Sequence, residues 1–421
     1  MTERRGEWFD EAGLGLFVHW GIASAHGGVD LSWGMMRNRP WTDDPGRGIT
    51  PEEYYALAEE FDPDAYDPDR WLAAAREAGM EYAVLTTRHH DGFALWPSEH
   101  GEFSTAQYLD GRDLVGEFVD ACRRQGVRVG FYYSPPDWNH PATPDPVGDY
   151  EEWRERHEAS WDPEAEREFY EYVKGQVREL VTRYGDLDVF WFDGSVPSGA
   201  AELYDVVRGE QPGILVNDRC DSSLGDFSTP ETELPQRPVE GRWELCYTWG
   251  GPGWGHVADE TYRDLAWTTE HLAKTVGRGG NLLLNVGPKG DGSLPEAAYE
   301  RLDELAAWMR EHRPAVKGVR RGPWPPRADA EVPVTRDGPT WYLHVLEAHD
   351  GPVTVAGVPE PRRVTHLRTG EALDYEFDGG DLTVAVPADA RERPDEVVAL
   401  TWDHPVASDV KVDGRFVGVP E

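Results

Sequence analysis

The sequence predicts a (β/α)8-like (TIM-type) barrel followed by a small C-terminal antiparallel β-sandwich. Three observations carry this. Over the first three-quarters of the 421 residues, short apolar runs alternate with helical patterns. Polar and aromatic side chains stand directly after several of those runs, where a parallel barrel collects its functional groups. Past His312-Arg313-Pro314 the pattern changes to short alternating stretches parted by turn residues.

Seven runs read as strands: Gly15–His19, Tyr82–Thr86, Val127–Tyr133, Leu187–Phe192, Ile214–Val216, Leu245–Thr248 and Leu282–Val286. Short apolar runs bounded by turn signals suit strands buried on both faces. Seven is one fewer than a closed barrel needs, and a doubly wound open sheet is the alternative. Between the runs, Thr50-Pro51-Glu52-Glu53 has the form of a capping box with Pro at the first helical position. Asp67-Pro68 opens a segment whose Trp71, Leu72, Ala75 and Ala78 share a face. Leu114, Phe118 and Ala121 repeat at helical spacing, and Asp162-Pro163 starts a long stripe through Phe169, Val173, Val177, Leu180 and Tyr184. Ser293-Leu294-Pro295-Glu296 is expected to cap a helix carrying Leu302, Leu305 and Trp308.

Residues 318–330 are rich in Pro, Gly and Arg, as a linker is. Alternating stretches then follow at Thr340–Leu346, Val353–Val358, Val364–Leu367, Leu382–Val386 and Val397–Trp402. The chain therefore divides into a barrel over 1–315, a linker over 316–330, a sandwich over 331–403 and a tail over 404–421. The sandwich has little clustered chemistry and is expected to support rather than react.

Composition narrows the function. Lys+Arg is 41 against 79 Asp+Glu, a net charge of −38, which repels nucleic acid and anionic lipid alike. Only five cations are Lys (Lys174, Lys274, Lys289, Lys317, Lys411). Two accounts fit equally: a surface adapted to high salt, or a genome favouring Arg codons. Cys122, Cys220 and Cys246 are far apart and form neither a disulfide framework nor a CxxC metal site. No signal peptide is visible and no run reaches membrane-span length. A cytoplasmic protein with no membrane partner is expected, and a homo-oligomer is compatible with the sequence.

The strand ends carry the chemistry. His19-Trp20-Gly21 follows the first run, and His89-His90-Asp91-Gly92 follows the second. Tyr132 and Tyr133 end the third, Asp193-Gly194 follows the fourth, and Asn217-Asp218-Arg219 follows the fifth. His19, His89, His90 and Asp193 are conceivable metal ligands, but adjacent histidines on a strand point to opposite faces. There is no HxH or HExxH spacing, so no metal is expected. The chain has neither a GxSxG elbow nor a GxGxxG or P-loop spacing. Asp193 ends the apolar Phe190-Trp191-Phe192, where an unpaired carboxylate would be costly. A second carboxylate must come from another segment, with Glu231, Glu233, Glu240 and Glu244 as candidates. Trp243, Trp249 and Trp254 are expected to supply flat apolar walls. Trp, His and paired carboxylates at one mouth indicate sugar chemistry.

Several motifs go further. Gly15-Leu16-Phe17-Val18-His19-Trp20-Gly21, Thr86-Thr87-Arg88-His89-His90-Asp91-Gly92-Phe93 and Trp191-Phe192-Asp193-Gly194 resemble the α-L-fucosidases of glycoside hydrolase family 29. So do Gly225-Asp226-Phe227-Ser228-Thr229-Pro230-Glu231 and Gly279-Gly280-Asn281-Leu282-Leu283-Leu284-Asn285-Val286-Gly287-Pro288, in the same order and with similar spacing. The resemblance covers residues from about 7 to 315. It implies a retaining double displacement that releases α-L-fucose from a fucosylated oligosaccharide or glycoconjugate without a cofactor. It matches Asp193 to the nucleophile and Glu231 to the acid/base. His19, His89, His90, Tyr132 and Arg219 match positions that hold fucose hydroxyls, and Trp191 and Trp254 match aromatics lining the pocket. Trp33 matches within a changed context, Ser32-Trp33-Gly34 where the family usually shows Glu-Trp-Tyr. The segment from Gly27 to Gly48, with Trp41, also departs from the family. An apolar wall beside Glu231 is expected to favour its protonated form. The alternatives are a hydrolase of another α-L-glycoside, such as an α-L-galactoside, and a sugar-binding protein without catalysis.

Overall fold

Eight parallel strands make the first sheet, one more than the apolar runs indicate. They are β1 (Leu14–Val18), β2 (Tyr82–Arg88), β3 (Arg128–Tyr133), β4 (Val189–Phe192), β5 (Leu215–Val216), β6 (Phe227–Ser228), β7 (Arg242–Thr248) and β8 (Asn281–Val286). The computed structural model describes residues 5–39, 48–144, 146, 148–157, 161–237, 239–251, 253–322, 332–387, 390–406, 410–412 and 415–417. Each strand neighbours the next in sequence, and β8 pairs with β1. The ring closes between β5 and β6 through a single parallel bridge, Asn217 to Phe227. The Asp226 N–H donates to the Val216 carbonyl there at 2.7 Å. This closure excludes the doubly wound alternative.

Side-chain alternation splits each strand between two cores. Phe17, Tyr82, Val84, Tyr132, Val189, Trp191, Phe227 and Leu283 fill the barrel interior. Leu16, Val18, Leu85, Phe131, Phe190 and Leu284 face the surrounding helices. Gly15 belongs to the interior set: a Cβ there would lie 2.5 Å from the Tyr82 ring, so only glycine leaves room for that phenol.

The helix signals hold where caps are strong. The Thr50 hydroxyl accepts from the Glu53 N–H while the Glu53 carboxylate accepts from the Thr50 N–H, opening the helix Pro51–Ala56. Asp67 caps Pro68–Glu77, Asp113 caps Leu114–Gln125 and Asp162 caps Pro163–Arg183. The helix Glu296–His312 forms as expected, but Ser293 does not cap it. The Ser293 hydroxyl donates to Asp291 instead, at 2.6 Å, and Pro295 stands at the helix start. Two helices without a clear sequence signal complete the ring, Ala200–Glu210 and Leu265–Gly277. Among the described residues, no helix is long and apolar enough to cross a membrane.

The C-terminal part is antiparallel. One sheet has the order β13-β16-β11-β10-β9 and the other β12-β15-β14. Their strands are β9 (Arg320–Arg321), β10 (Val334–Asp337), β11 (Thr340–Leu346), β12 (Val353–Val355), β13 (Arg363–His366), β14 (Tyr375–Asp378), β15 (Asp381–Val384) and β16 (Asp395–Thr401). Trp341, Leu343, Val345, Leu382, Val384 and Leu400 form the core between them. The stretch expected as a linker begins with order: Val316 and Val319 are buried and β9 pairs with β10. Residues 323–330 of that stretch lie outside the described residues. In the tail, Val410–Val412 pairs with Arg415–Val417 as a two-stranded ribbon. The five-stranded sheet meets the barrel at the helix Glu296–His312, where the Trp308 indole donates to the Asp395 carbonyl at 3.1 Å. Beneath that contact Glu396 is fully buried. It accepts from the N–H groups of Glu392 and Arg393, pairs with Arg368, and lies 2.7 Å from His366 Nε2.

Candidate active site

Strand parity delivers the central groups. Val189 and Trp191 point into the barrel, and Asp193, two residues on, continues the series just past the end of β4. His19 continues Phe17 of β1 in the same way. Both stand at the carboxyl mouth of the ring, where they line a cavity of about 1050 Å³.

Asp193 is held from two sides. Its Oδ2 accepts from the Tyr132 hydroxyl at 2.7 Å, and its Oδ1 accepts from Arg219 Nη1 at 3.1 Å. His90 Nε2 lies 3.6 Å from Oδ2. Burial alone would push the carboxyl up. The Arg219 and His90 charges and the Tyr132 hydrogen bond outweigh it and hold Asp193 below the usual range. Arg219 also donates from Nη2 to Glu231 Oε2 at 2.6 Å. One guanidinium therefore bridges two carboxylates from different strand ends. Its Nε donates to the Thr229 hydroxyl at 2.9 Å, and its carbon lies 4.5 Å from the Trp191 ring centroid. The expected apolar wall beside Glu231 is not what the side chain meets: it is 40% exposed and leans on the Arg219 cation.

Two of the three histidines, His19 and His89, are held as neutral rings. His19 Nδ1 lies 2.6 Å from Asn285 Oδ1, and burial drives its pKa to about 4. Burial also pushes His89 well below the ordinary histidine value. His89 Nδ1 lies 2.7 Å from the Ser32 hydroxyl, and His90 Nδ1 lies 2.6 Å from that of Ser134. With Nδ1 engaged, His19 and His89 have Nε2 left for the cavity, while His90 Nε2 faces Asp193. The alternation argument against adjacent histidines fails here, because β2 ends at Arg88 after an irregularity between Thr86 and Arg88. Their ring centroids are 4.3 Å apart at one mouth. His89, His90 and Asp193 offer ligand atoms within 4.8 Å of one another, a set compact enough for a cation. Asp193, however, already takes Tyr132 and Arg219.

Aromatic surfaces complete the wall. Trp254 lies 5.0 Å from His19, its N–H donates to Asp30 Oδ1 at 2.8 Å, and its carbonyl accepts from Asn285 at 2.6 Å. Trp33 meets His90 edge-on at 5.2 Å and Trp138 at 4.9 Å. Tyr132 stacks on Trp191 at 5.6 Å. All ten residues singled out from sequence line this one cavity: His19, Trp33, His89, His90, Tyr132, Trp191, Asp193, Arg219, Glu231 and Trp254. Two of the expected tryptophan walls do not. Trp243 is buried against Gly280, and Trp249 is buried with its indole donating to Thr268 at 2.9 Å. Glu233 and Glu240 are exposed and outside the cavity, while Glu244 is buried beneath it. Trp41 lies outside the described residues. Sequence reading missed Asp30, Ser32 and Asn285. Only Asn285 carried a signal, as a polar residue in the interior series of β8.

A family model described as alpha-L-fucosidase matches residues 2–313. The chain belongs to the α-L-fucosidase family. The tissue alpha-L-fucosidase of Mus musculus is 30% identical, over 80% of this chain and 75% of the relative. The α-L-fucosidase isoenzyme 1 from Paenibacillus thiaminolyticus superposes with a TM-score of 0.81 at 30% identity, covering 94% of this chain and 98% of that one. A glycoside hydrolase family 29 α-L-fucosidase from Bacteroides thetaiotaomicron, trapped as a covalent intermediate with 2-fluoro-fucosyl fluoride, superposes at 0.78. It is 25% identical, with 95% of this chain and 96% of that one covered. Members of the α-L-fucosidase family are glycoside hydrolases, and the barrel with its C-terminal sandwich is shared with these relatives.

Proposed function

We propose that this chain is a retaining α-L-fucosidase in which Asp193 is the nucleophile and Glu231 the acid/base. The observation that carries the reading is Arg219, whose two terminal nitrogens each hold one of these carboxylates. Asp193 is ionised and fixed by two donors, ready to attack the anomeric carbon. Glu231 gives its proton to the leaving oxygen, and the sugar becomes an ester of Asp193. That ester is neutral, so the Arg219 charge then acts on Glu231 alone. Having given up its proton, Glu231 is now the carboxylate that takes a proton from water as the ester is hydrolysed.

The neutral His19 and His89, with His90, suit hydrogen bonding to uncharged sugar hydroxyls. Trp254 and Trp33 offer flat apolar faces to sugar C–H groups. A cavity of about 1050 Å³ reaches the upper end of small-molecule sites, roughly 300–1,000 Å³, and leaves room beyond one sugar. A fucosylated oligosaccharide or glycoconjugate is therefore the substrate we favour. Three buried free thiols support a reducing, cytoplasmic setting. Hydrolysis of 4-nitrophenyl α-L-fucoside, against the α-L-galactoside, tests the reading. Asp193→Ala is expected to lower kcat by roughly four orders of magnitude or more. A kcat near that of wild type would sink the nucleophile assignment.

A further inference from the structure

Glu244 is a carboxyl group inside the barrel that hydrolysis, as read above, does not use. It sits on β7 with no exposure to solvent. Both oxygens accept a hydrogen bond: Oε2 from the Tyr82 hydroxyl at 2.5 Å and Oε1 from the Trp191 indole N–H at 2.6 Å. These partners come from β2 and β4, so the three side chains make a strut across the ring. Leucine or methionine would fill such a space without the desolvation penalty that a buried carboxyl carries. The strut therefore calls for a reason other than packing.

That reason lies one layer up. The Trp191 ring carries the Arg219 guanidinium on one side, 4.5 Å from its centroid. It also stacks on Tyr132, with 19° between the ring planes. Arg219 donates to both Asp193 and Glu231, and Tyr132 donates to Asp193. The contact with Phe17, at 5.1 Å, is apolar and sets no direction for the indole N–H. The bond from that N–H to Glu244 does set one, at 2.6 Å.

We propose that Glu244 is a positioning residue: it locks the Trp191 indole from below and thereby sets Arg219 and Tyr132, and through them the two active-site carboxylates. The proposal rests on the reading of Asp193 and Glu231 given above. Glu244 does not itself reach the substrate, because Trp191 lies between it and the cavity and both its oxygens are engaged.

Kinetics of Glu244→Ala and Glu244→Gln on fucosides with good and poor leaving groups test this. Glu244→Ala should lose kcat by roughly 100-fold, the scale of a small misplacement of reacting groups. The loss should be equal for both leaving groups and unrelieved by azide. Glu244→Gln keeps an acceptor for the indole and should stay within about tenfold of wild type. A Glu244→Ala enzyme within about threefold of wild-type kcat would overturn the proposal. So would leaving-group dependence with azide rescue, which marks an acid/base, or a Glu244→Gln loss equal to that of Glu244→Ala. If Glu244→Ala does not fold, Trp191→Phe removes the same bond from its other end. It must show the same leaving-group-independent loss, and a wild-type kcat there overturns the proposal. Failure of wild type to cleave fucosides sinks the functional reading instead. The strut is then judged without substrate, from the Arg219 Nε–H nuclear magnetic resonance signal, assigned by its loss in Arg219→Lys. The signal should shift in Glu244→Ala and hold in Glu244→Gln, and an unmoved signal in Glu244→Ala overturns the proposal.

Discussion

Arg219 and Tyr132 make Asp193 a carboxylate whose charge is supported from two directions, and each support has a separate readout. Tyr132→Phe removes one donor to the ionised form, so the Asp193 pKa should rise. As the proposed nucleophile, Asp193 must be ionised to attack, so on that reading the acid limb of kcat/KM should move to higher pH, by roughly half a unit to one unit. A pH–rate profile measures this, and a limb that stays put would detach Tyr132 from Asp193 in solution. Glu231→Ala should cost roughly 100- to 10,000-fold on glycosides with poor leaving groups and much less on activated aryl glycosides. Azide should restore turnover on the activated substrates by taking the place of water, and a uniform loss without rescue would move the acid/base elsewhere. Asp193 and His19 were legible in the sequence because each follows an apolar strand whose parity aims it at the mouth. Glu244 was legible only as one of four candidate carboxylates. Its neighbours Arg242 and Trp243 conceal that Glu244 and Cys246 form an inward pair. Asp30 and Ser32 belong to the start of the short 3-10 helix Leu31–Met35, where one turn shows no periodicity to say which way a side chain turns.

Among the elements, the joint between the sandwich and the helix Glu296–His312 has its own charge chemistry. Burial pushes the Glu396 carboxyl up. The neighbouring His312, Arg368 and His366 and the Glu392 N–H prevail and bring its pKa to about 2. Its folded pKa lies below the unfolded value of about 4.3, so the group stabilises the fold above that value. The contribution is lost as pH falls from about 4.3 toward about 2. Glu396→Gln should therefore destabilise by roughly 2–3 kcal/mol at pH 7 and by little near pH 2. Denaturant melts at the two pH values would show it, and an equal loss at both would assign the effect to shape rather than charge. Elements were readable where local signals were strong, as at Thr50, Asp67 and Asp162. Ala200–Glu210 escaped because Gly199 offers no capping side chain. Leu265–Gly277 escaped because Thr268, Thr269 and Thr275 face its core, so its buried side reads as polar. β6 escaped because two residues cannot show a period.

For the whole molecule, a net charge of −38 means that the fold repels itself. Salt screens this over about 3 Å at 1 M, against about 10 Å at 0.1 M. Molar KCl should raise the melting temperature by several degrees while leaving KM for a neutral fucoside within about twofold. An unchanged or lower melting temperature would leave Arg-favouring codons as the account of the scarce lysines. The charge was plain in the sequence, but the closing of the ring was not, since its last contact is one bridge between Asn217 and Phe227. The barrel is thus a hoop whose thinnest stave lies beside the reacting groups. Asp193 stands on one side of that seam, Glu231 on the other, and Arg219 is the clasp across it. A change in the hoop's girth at that seam is therefore expected to change the gap between Asp193 and Glu231.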